Sequence, residues 1–180
     1  MVAPIILYGS TVLRKHSAEI TEEDNVLKIT NMLFDTIKNA KGIGLAGPQI
    51  SLLKRAFVID TSPLIEDDIT IEKFEGVFIN PVIIERNTEP KIYKEGCLSI
   101  PGIYEEVERA AKIWVRYQDL SFHTIEEELN GIKACIFQHE YDHLQGILFI
   151  DRLSPLKKKL IKNKLREMKS RQHKYITLKL

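Results

Sequence analysis

The sequence predicts an α+β protein in which largely antiparallel β-sheets pack around a central helix, with a further helix at the C-terminus. Residues 130–145 predict the central helix, because apolar residues recur there at helical spacing and Gly146 follows them. Short segments with β-like patterning occupy the middle of the chain. Ser154 and Pro155 indicate the start of the last helix, since a capping residue precedes proline at the first helical position.

The segment before the strands contains a predicted helix and a glycine-rich loop. Apolar residues recur every three or four positions over 21–40, which predicts a helix that ends before Gly42. Residues 42–49, GIGLAGPQ, contain three glycines and a proline and are predicted to form no regular element. Such a loop lets a ligand or another backbone approach closely. Gln49 is its polar side chain that can donate a hydrogen bond into a site.

The strands are predicted from apolar runs between turns. Residues 5–13 are predicted to form a loop or edge strand, and 62–75 an acidic loop. Pro81 is expected to break its strand or divide it into a pair. The predicted strands are 55–60, 77–86, 112–117 and 122–129, with Cys97 in a glycine-flanked turn among them.

Length and composition predict one domain spanning residues 1–180. The chain is 44% hydrophobic and 28% charged, which is typical of a globular protein. It has no apolar run long enough to span a bilayer and no secretory signal, so we expect a cytoplasmic protein without a membrane partner. Its two cysteines are too few for a disulfide framework.

Charge is unevenly distributed along the chain. Residues 155–180, the predicted basic C-terminal helix and tail, contain ten Lys and Arg against one acidic residue, a net charge of +9. The remainder has a net charge of −8. An apolar stripe is predicted to dock this helix on the body and leave its lysines exposed. The stripe consists of Leu156, Leu160, Ile161, Leu165 and Met168.

The central helix carries the residues that predict chemistry. His139, Glu140 and His143 form the motif H-E-x-x-H. On a helix the two histidines lie on one face, where both can bind one metal ion, and Glu140 can take a proton from a metal-bound water. The simpler interpretation is a pair of core histidines bonded to backbone. Asn130 is the predicted cap, and the apolar stripe is Ile132, Cys135, Ile136, His139 and His143.

A third protein ligand is needed, and it determines the class of enzyme. The metzincin pattern requires histidine at position 149, which is Phe149, and few acidic residues follow the motif. An upstream ligand is therefore favoured, and Cys97 is the best candidate. His173 is a weaker rival, whereas Cys135 is better explained as a small core residue.

Three motifs in order make the chain resemble the peptide deformylases: GIGLAGPQ at 42–49, EGCLS at 95–99 and QHEYDH at 138–143. The likeness covers nearly the whole chain. The family pattern usually has Ala where this chain has Gly47, a difference that we expect to affect only the stiffness of the loop.

The resemblance implies a catalytic centre and a cofactor. Cys97, His139 and His143 would bind one divalent metal ion, with water as fourth ligand; Fe²⁺ is expected, and Zn²⁺, Ni²⁺ or Co²⁺ could occupy the site. Glu140 would act as general base and then as acid. Gln49 and the backbone N–H of Leu98 would stabilise the oxyanion.

The resemblance also implies the substrate, the N-formyl-methionine end of a nascent polypeptide, which is split into formate and a free N-terminus. The expected substrate-binding residues are Ile43, Gly44, Glu95, Gly96, Ile132, Cys135 and Ile136. Nascent chains emerge at the ribosome, so the basic helix could contact ribosomal RNA, and DNA is not an expected partner.

Two other functions are weighed against this one. The chain could be a zinc peptidase of another H-E-x-x-H type that cleaves internal peptide bonds. It could also be a non-catalytic, metal-stabilised module that binds RNA through its basic helix. Glu140 argues against the second, because a structural metal site needs no base.

Overall fold

The computed structural model describes residues 1–65 and 68–177, with side chains described as far as Ser170. Within these ranges the helices are α1 (Val26–Ala40), α2 (Ser62–Ile65), α3 (Gly131–Leu144) and α4 (Pro155–Thr177). The strands are β1 (Gly44–Ala46), β2 (Ala56–Asp60), β3 (Glu75–Arg86), β4 (Pro90–Cys97), β5 (Ile100–Ala110), β6 (Lys112–Gln118) and β7 (Thr124–Asn130). Short 3₁₀ turns lie at Thr11–Arg14, Gly47–Ile50 and Phe149–Arg152.

The strands form two antiparallel sheets. One is five-stranded, in the order β1-β2-β3-β6-β7, and the other is the hairpin of β4 and β5. All pairs of named strands are antiparallel. The predicted α+β class with largely antiparallel sheets is confirmed.

Helix α3 is the centre of this arrangement. Residues 134–140 and 142–144 are all buried, so the helix is covered on nearly every side and not along one stripe as the sequence predicted. Phe137 packs edge-on against Phe57 and Phe78, with ring centroids 5.0 Å apart in both pairs. Asn130 precedes the helix in extended conformation, but its side chain makes no capping hydrogen bond.

Several predicted boundaries are corrected by the structure. Helix α1 begins at Val26, because Asn25 caps it by accepting a hydrogen bond from the N–H of Lys28 at 3.0 Å. The loop 42–49 does contain a regular element, since β1 pairs with β2. Strand β3 runs through Pro81 and bends at a register shift between Ile79 and Val82.

Helix α4 docks through fewer apolar residues than the sequence predicted. Ile161 is buried, and Leu165 and Met168 pack against the same core cluster. Leu156 and Leu160, assigned to the docking stripe, are 68% and 72% exposed. None of the described helices is long and apolar enough to cross a membrane. The predicted C-terminal helix continues as far as Thr177, and residues 178–180 lie outside the described range.

Candidate metal centre

The end of β4 and the middle of α3 bring three metal-binding side chains together. Cys97 ends β4, and His139 and His143 lie one turn apart on α3. One ligand atom from each lies within 4.8 Å of the others, and Cys97 Sγ is 3.3 Å from His143 Nε2. Ligand atoms held at about 2.0–2.3 Å from a tetrahedral ion lie roughly 3.3–3.8 Å apart. Small shifts of the three side chains would therefore let them bind one ion. The side chain of the rival ligand His173 lies outside the described residues.

The donor set also indicates the kind of ion that would fit. A thiolate and two imidazoles suit a transition metal such as iron or zinc, not magnesium or calcium. Three protein ligands leave a tetrahedral ion one open position, as catalytic sites require. Burial lowers the pKa of His143 well below its usual value, which favours the neutral imidazole that binds a metal.

His139 is oriented by Glu95. The His139 Nδ1 atom lies 2.7 Å from Glu95 Oε2, which leaves Nε2 for the metal. Arg109 holds that carboxylate through two hydrogen bonds, from Nε at 2.7 Å and from Nη2 at 2.9 Å. Burial alone would raise the pKa of Glu95, but Arg109 and His139 hold it at about 2. Both Glu95 oxygens therefore have hydrogen-bond partners: Oε2 lies against His139 and Arg109, and Oε1 accepts from Arg109.

The support extends beyond Glu95 to a further buried carboxylate. Arg109 also donates to Asp142 Oδ2, and Asp142 accepts from Arg152. The Arg109 and Asp142 side chains are 2% and 4% exposed. This ion-pair network was not predicted from the sequence. Its one signal in the sequence is that Arg109 follows the apolar Val107 by two positions and so shares its face of β5, which predicts a buried carboxylate partner only once the fold is known.

Glu140 follows the candidate ligand His139 directly on α3. It is 3% exposed, and among the described residues no group bonds its Oε2 atom. Burial raises the pKa of Glu140 to about 7, a change that a bound cation would oppose. Its carboxylate packs directly against Gly44, where a Cβ would lie 2.8 Å from Glu140 Cδ. Gly44 thus gives Glu140 the space that it occupies.

Gln49 directs its side-chain amide at the same centre. Its Oε1 accepts a hydrogen bond from the N–H of Ala46 at 2.8 Å. Its Nε2 therefore points towards Cys97 Sγ, at 3.5 Å, and towards Ser99 Oγ, at 3.3 Å. Leu98 lies with Ser99 in the turn between Cys97 and Ile100. Ser99, to which sequence analysis gave no role, helps to orient the Gln49 amide.

The loop that carries Gln49 packs more tightly than the sequence suggested. A Cβ at Gly47 would lie 2.6 Å from the carbonyl oxygen of Leu52 and 2.8 Å from that of Lys54. An alanine there would force the backbone to move. Gly47 therefore allows the loop to pack closely against the Leu52 and Lys54 carbonyl groups.

The predicted substrate-binding residues differ in burial and in the groups that they contact. Ile43 and Ile132 are partly buried against the core, and Ile136 belongs to it. Cys135 donates towards Glu95 Oε1 at 3.7 Å, and burial raises the pKa of its thiol, so it stays neutral and outside the ligand cluster. Gly96 lies under the ring of Tyr104, since a Cβ there would be 2.6 Å from Cδ1.

Comparison with known proteins agrees with this site. The sequence model of the family described as polypeptide deformylase matches residues 2–159. The peptide deformylase of Cytophaga hutchinsonii is 46% identical over 166 residues, which cover 92% of this chain and 89% of the relative. That of Christiangramia forsetii is 44% identical over 173 residues, covering 92% and 88%.

Solved structures agree as well. The crystal structure of peptide deformylase from Thermus thermophilus has a TM-score of 0.84 at 39% identity and covers 95% of this chain and 99% of its own. The peptide deformylase of Plasmodium falciparum gives the same TM-score at 38% identity, covering 95% and 97%.

Proposed function

The chain belongs to the polypeptide deformylase family, whose members are hydrolases that remove the N-formyl group from nascent peptides, and on that premise we propose which of its residues carries out each part of the reaction. The proposal rests on one observation: Cys97, His139 and His143 place one ligand atom each within 4.8 Å of one another, with Gln49 Nε2 3.5 Å from Cys97 Sγ and the buried Glu140 next to His139 on α3. In this proposal residues 1–180 form a single catalytic domain.

The metal would be held by Cys97 Sγ and by the Nε2 atoms of His139 and His143, and Fe²⁺ is the resident ion that we propose, with Zn²⁺, Ni²⁺ or Co²⁺ able to replace it. When bound, the ion supplies Lewis-acid polarisation of the formyl oxygen and lowers the pKa of the attacking water. Glu95 and Arg109 keep His139 in the orientation that binding needs.

Glu140 would move the protons. It takes a proton from the attacking water and delivers it to the nitrogen that leaves as the new N-terminus. Its burial, and the lack of a hydrogen bond from any described residue to its Oε2 atom, support this role, because a carboxylate that is bonded elsewhere could not exchange protons freely.

Gln49 and Leu98 would stabilise the negative charge that develops on the formyl oxygen. The Gln49 Nε2 donors already point towards the Cys97 side of the site. The backbone N–H of Leu98, which follows Cys97 in the turn, would supply the second donor.

The substrate would enter as an extended strand. Strand β1 is an edge of the five-stranded sheet, and among the described strands β4 pairs only with β5. Both edges flank α3, so backbone groups at Ile43, Gly44 and Gly96 can pair with a peptide. The methionine side chain would enter an apolar pocket lined by Ile43, Ile132, Cys135 and Ile136.

Helix α4 would hold the enzyme near its substrate. The net charge of +9 over 155–180 would attract the RNA phosphates of the ribosome, where nascent chains emerge in the cytoplasm. The exposure of Lys158, Lys162 and Arg166 supports this contact. DNA and membranes are not partners in this proposal.

The direct test is hydrolysis of a formyl-Met-Ala peptide by protein that is purified anaerobically. We expect release of formate and a free amine, with no cleavage of casein. The alternatives of an internal peptidase and an RNA-binding module are not favoured by the comparisons. Cleavage of casein without formate release would contradict the assignment.

A further inference from the structure

Tyr93 has a buried hydroxyl group that bonds with none of the described residues. The side chain is partly exposed as a whole, yet its hydroxyl oxygen is inaccessible. A buried hydroxyl without a partner is costly, and most such groups are hydrogen-bonded. An unpaired one near an active site therefore indicates a partner that arrives with a ligand.

The position of Tyr93 relates this hydroxyl to the proposed substrate pocket. Tyr93 and Glu95 are two residues apart on β4 and share one face of the strand. On that face Glu95 contacts His139 and the thiol of Cys135. A step of two strand residues spans about 7 Å, so Tyr93 lies about a side-chain length beyond Glu95.

Electrostatics indicates the same neighbourhood. Burial raises the pKa of Tyr93, and Cys135, on the first full turn of α3, is close enough to raise it further. That turn also carries Ile132, a member of the proposed pocket. The Cys135 thiol does not satisfy the hydroxyl, because it is directed at Glu95. Lys91 lies over the Tyr93 ring, with Nζ 5.6 Å from its centroid.

We propose that the Tyr93 hydroxyl is a specificity-determining group that donates a hydrogen bond to the thioether sulfur of the substrate's first residue. This rests on the proposed function, since it places the first side chain in the pocket beside α3. A thioether is a weak acceptor, whereas a purely hydrocarbon side chain of the same length accepts nothing. A hydrocarbon side chain would leave the buried hydroxyl unpaired, and the pocket would discriminate against it.

The test compares formyl-Met-Ala with formyl-norleucyl-Ala, in which a methylene replaces the sulfur. We expect kcat/KM of the metal-loaded wild-type enzyme to favour methionine by about three- to tenfold. Tyr93→Phe removes only the hydroxyl and should bring that ratio close to one, mainly by slowing the methionine substrate. Tyr117→Phe is the matched control, because its hydroxyl bonds Glu127 on the five-stranded sheet, and it should keep the wild-type ratio.

The outcomes separate this inference from the proposed function. Wild-type enzyme that releases no formate from either peptide would overturn the proposed function. Hydrolysis of both peptides with the same ratio in wild type and Tyr93→Phe would overturn only the role of Tyr93. The melting temperature without substrate gives a second measurement. Tyr93→Phe should leave it unchanged or raise it, and a clear fall would show that the hydroxyl has a structural partner.

Discussion

Helices α3 and α4 both carry many ionisable side chains, but they place them in opposite environments. On α3, Glu140, Asp142 and His143 are at most 3% exposed. On α4 most of the lysines described between Pro155 and Ser170 are exposed, and in that part of the helix Ile161 is buried. Buried charges persist only when each finds a partner, a metal or a catalytic use. Exposed charges act at long range and are screened by salt.

This difference in environment determines where each kind of function can be located. Chemistry needs fixed distances and low solvent access, which α3 obtains from cover on nearly every side. Attraction to a large polyanion needs only density of charge, which α4 supplies without exact geometry. Substitutions on α3 should therefore have large and specific effects, and those on α4 small and salt-dependent ones.

The largest effect is expected at the third metal ligand. Cys97→Ser removes the sulfur atom that lies 3.3 Å from His143 Nε2, so it should strip the metal and abolish formate release. Cys135→Ser is the matched control, because Cys135 lies outside the ligand cluster. Metal analysis of both purified variants checks this. Loss of metal from Cys135→Ser, with retention in Cys97→Ser, would reverse the assignment.

Gln49 is expected to have a smaller but still large effect on catalysis. Gln49→Leu keeps the volume of the side chain but removes the amide donors directed at the site. Loss of one oxyanion donor should lower kcat by about 10²–10³-fold with little change in KM. Steady-state kinetics on formyl-Met-Ala measure both. A rise in KM at unchanged kcat would place Gln49 in substrate binding.

Arg109 tests the buried network that supports α3. Arg109→Met leaves the Glu95 and Asp142 carboxylates buried, although Asp142 keeps Arg152. The free energy of unfolding should fall by about 3–5 kcal/mol, measured by urea denaturation. Lys157→Met is the surface control, since its ion pairs with Glu105 and Glu106 are partly exposed. We expect about 1 kcal/mol or less there. Equal losses would remove the contrast between the two helices.

The smallest effect on catalysis is expected on α4. Reversing Lys158, Lys162 and Arg166 to Glu should leave kcat/KM for a free formyl-peptide within about twofold, because these residues are exposed and far from Glu140 along the chain. Co-sedimentation with ribosomes at low salt should be lost, and salt should weaken wild-type binding steeply. Equal co-sedimentation of both proteins would reduce the basic helix to a solubility feature.

The features predicted correctly from sequence were those that local pattern determines. Helical spacing located α3 and α4, and the spacing of His139 and His143 predicted a shared metal face before any fold was known. The motifs around Gln49 and Cys97 predicted which distant segments would meet that face.

The errors arise where the outcome depends on tertiary contacts. The pattern of α4 cannot show that Leu156 and Leu160 remain exposed, because helical spacing does not reveal which residues the body covers. Strand β1 forms inside a glycine-rich loop because β2 lies beside it. The role of Arg109 can be recognised only when its strand, β5, is placed against Glu95 and Asp142.

In the proposed mechanism the buried Glu140, and not the metal alone, moves the protons of the reaction. Glu140→Gln keeps the shape of the side chain and leaves Cys97, His139 and His143 in place. Metal content and formate release, measured on the same anaerobic preparation, test the claim. We expect one metal ion per chain, as in wild type, and a fall in kcat of about 10²–10⁴-fold. Near-normal turnover with the metal retained would contradict the account.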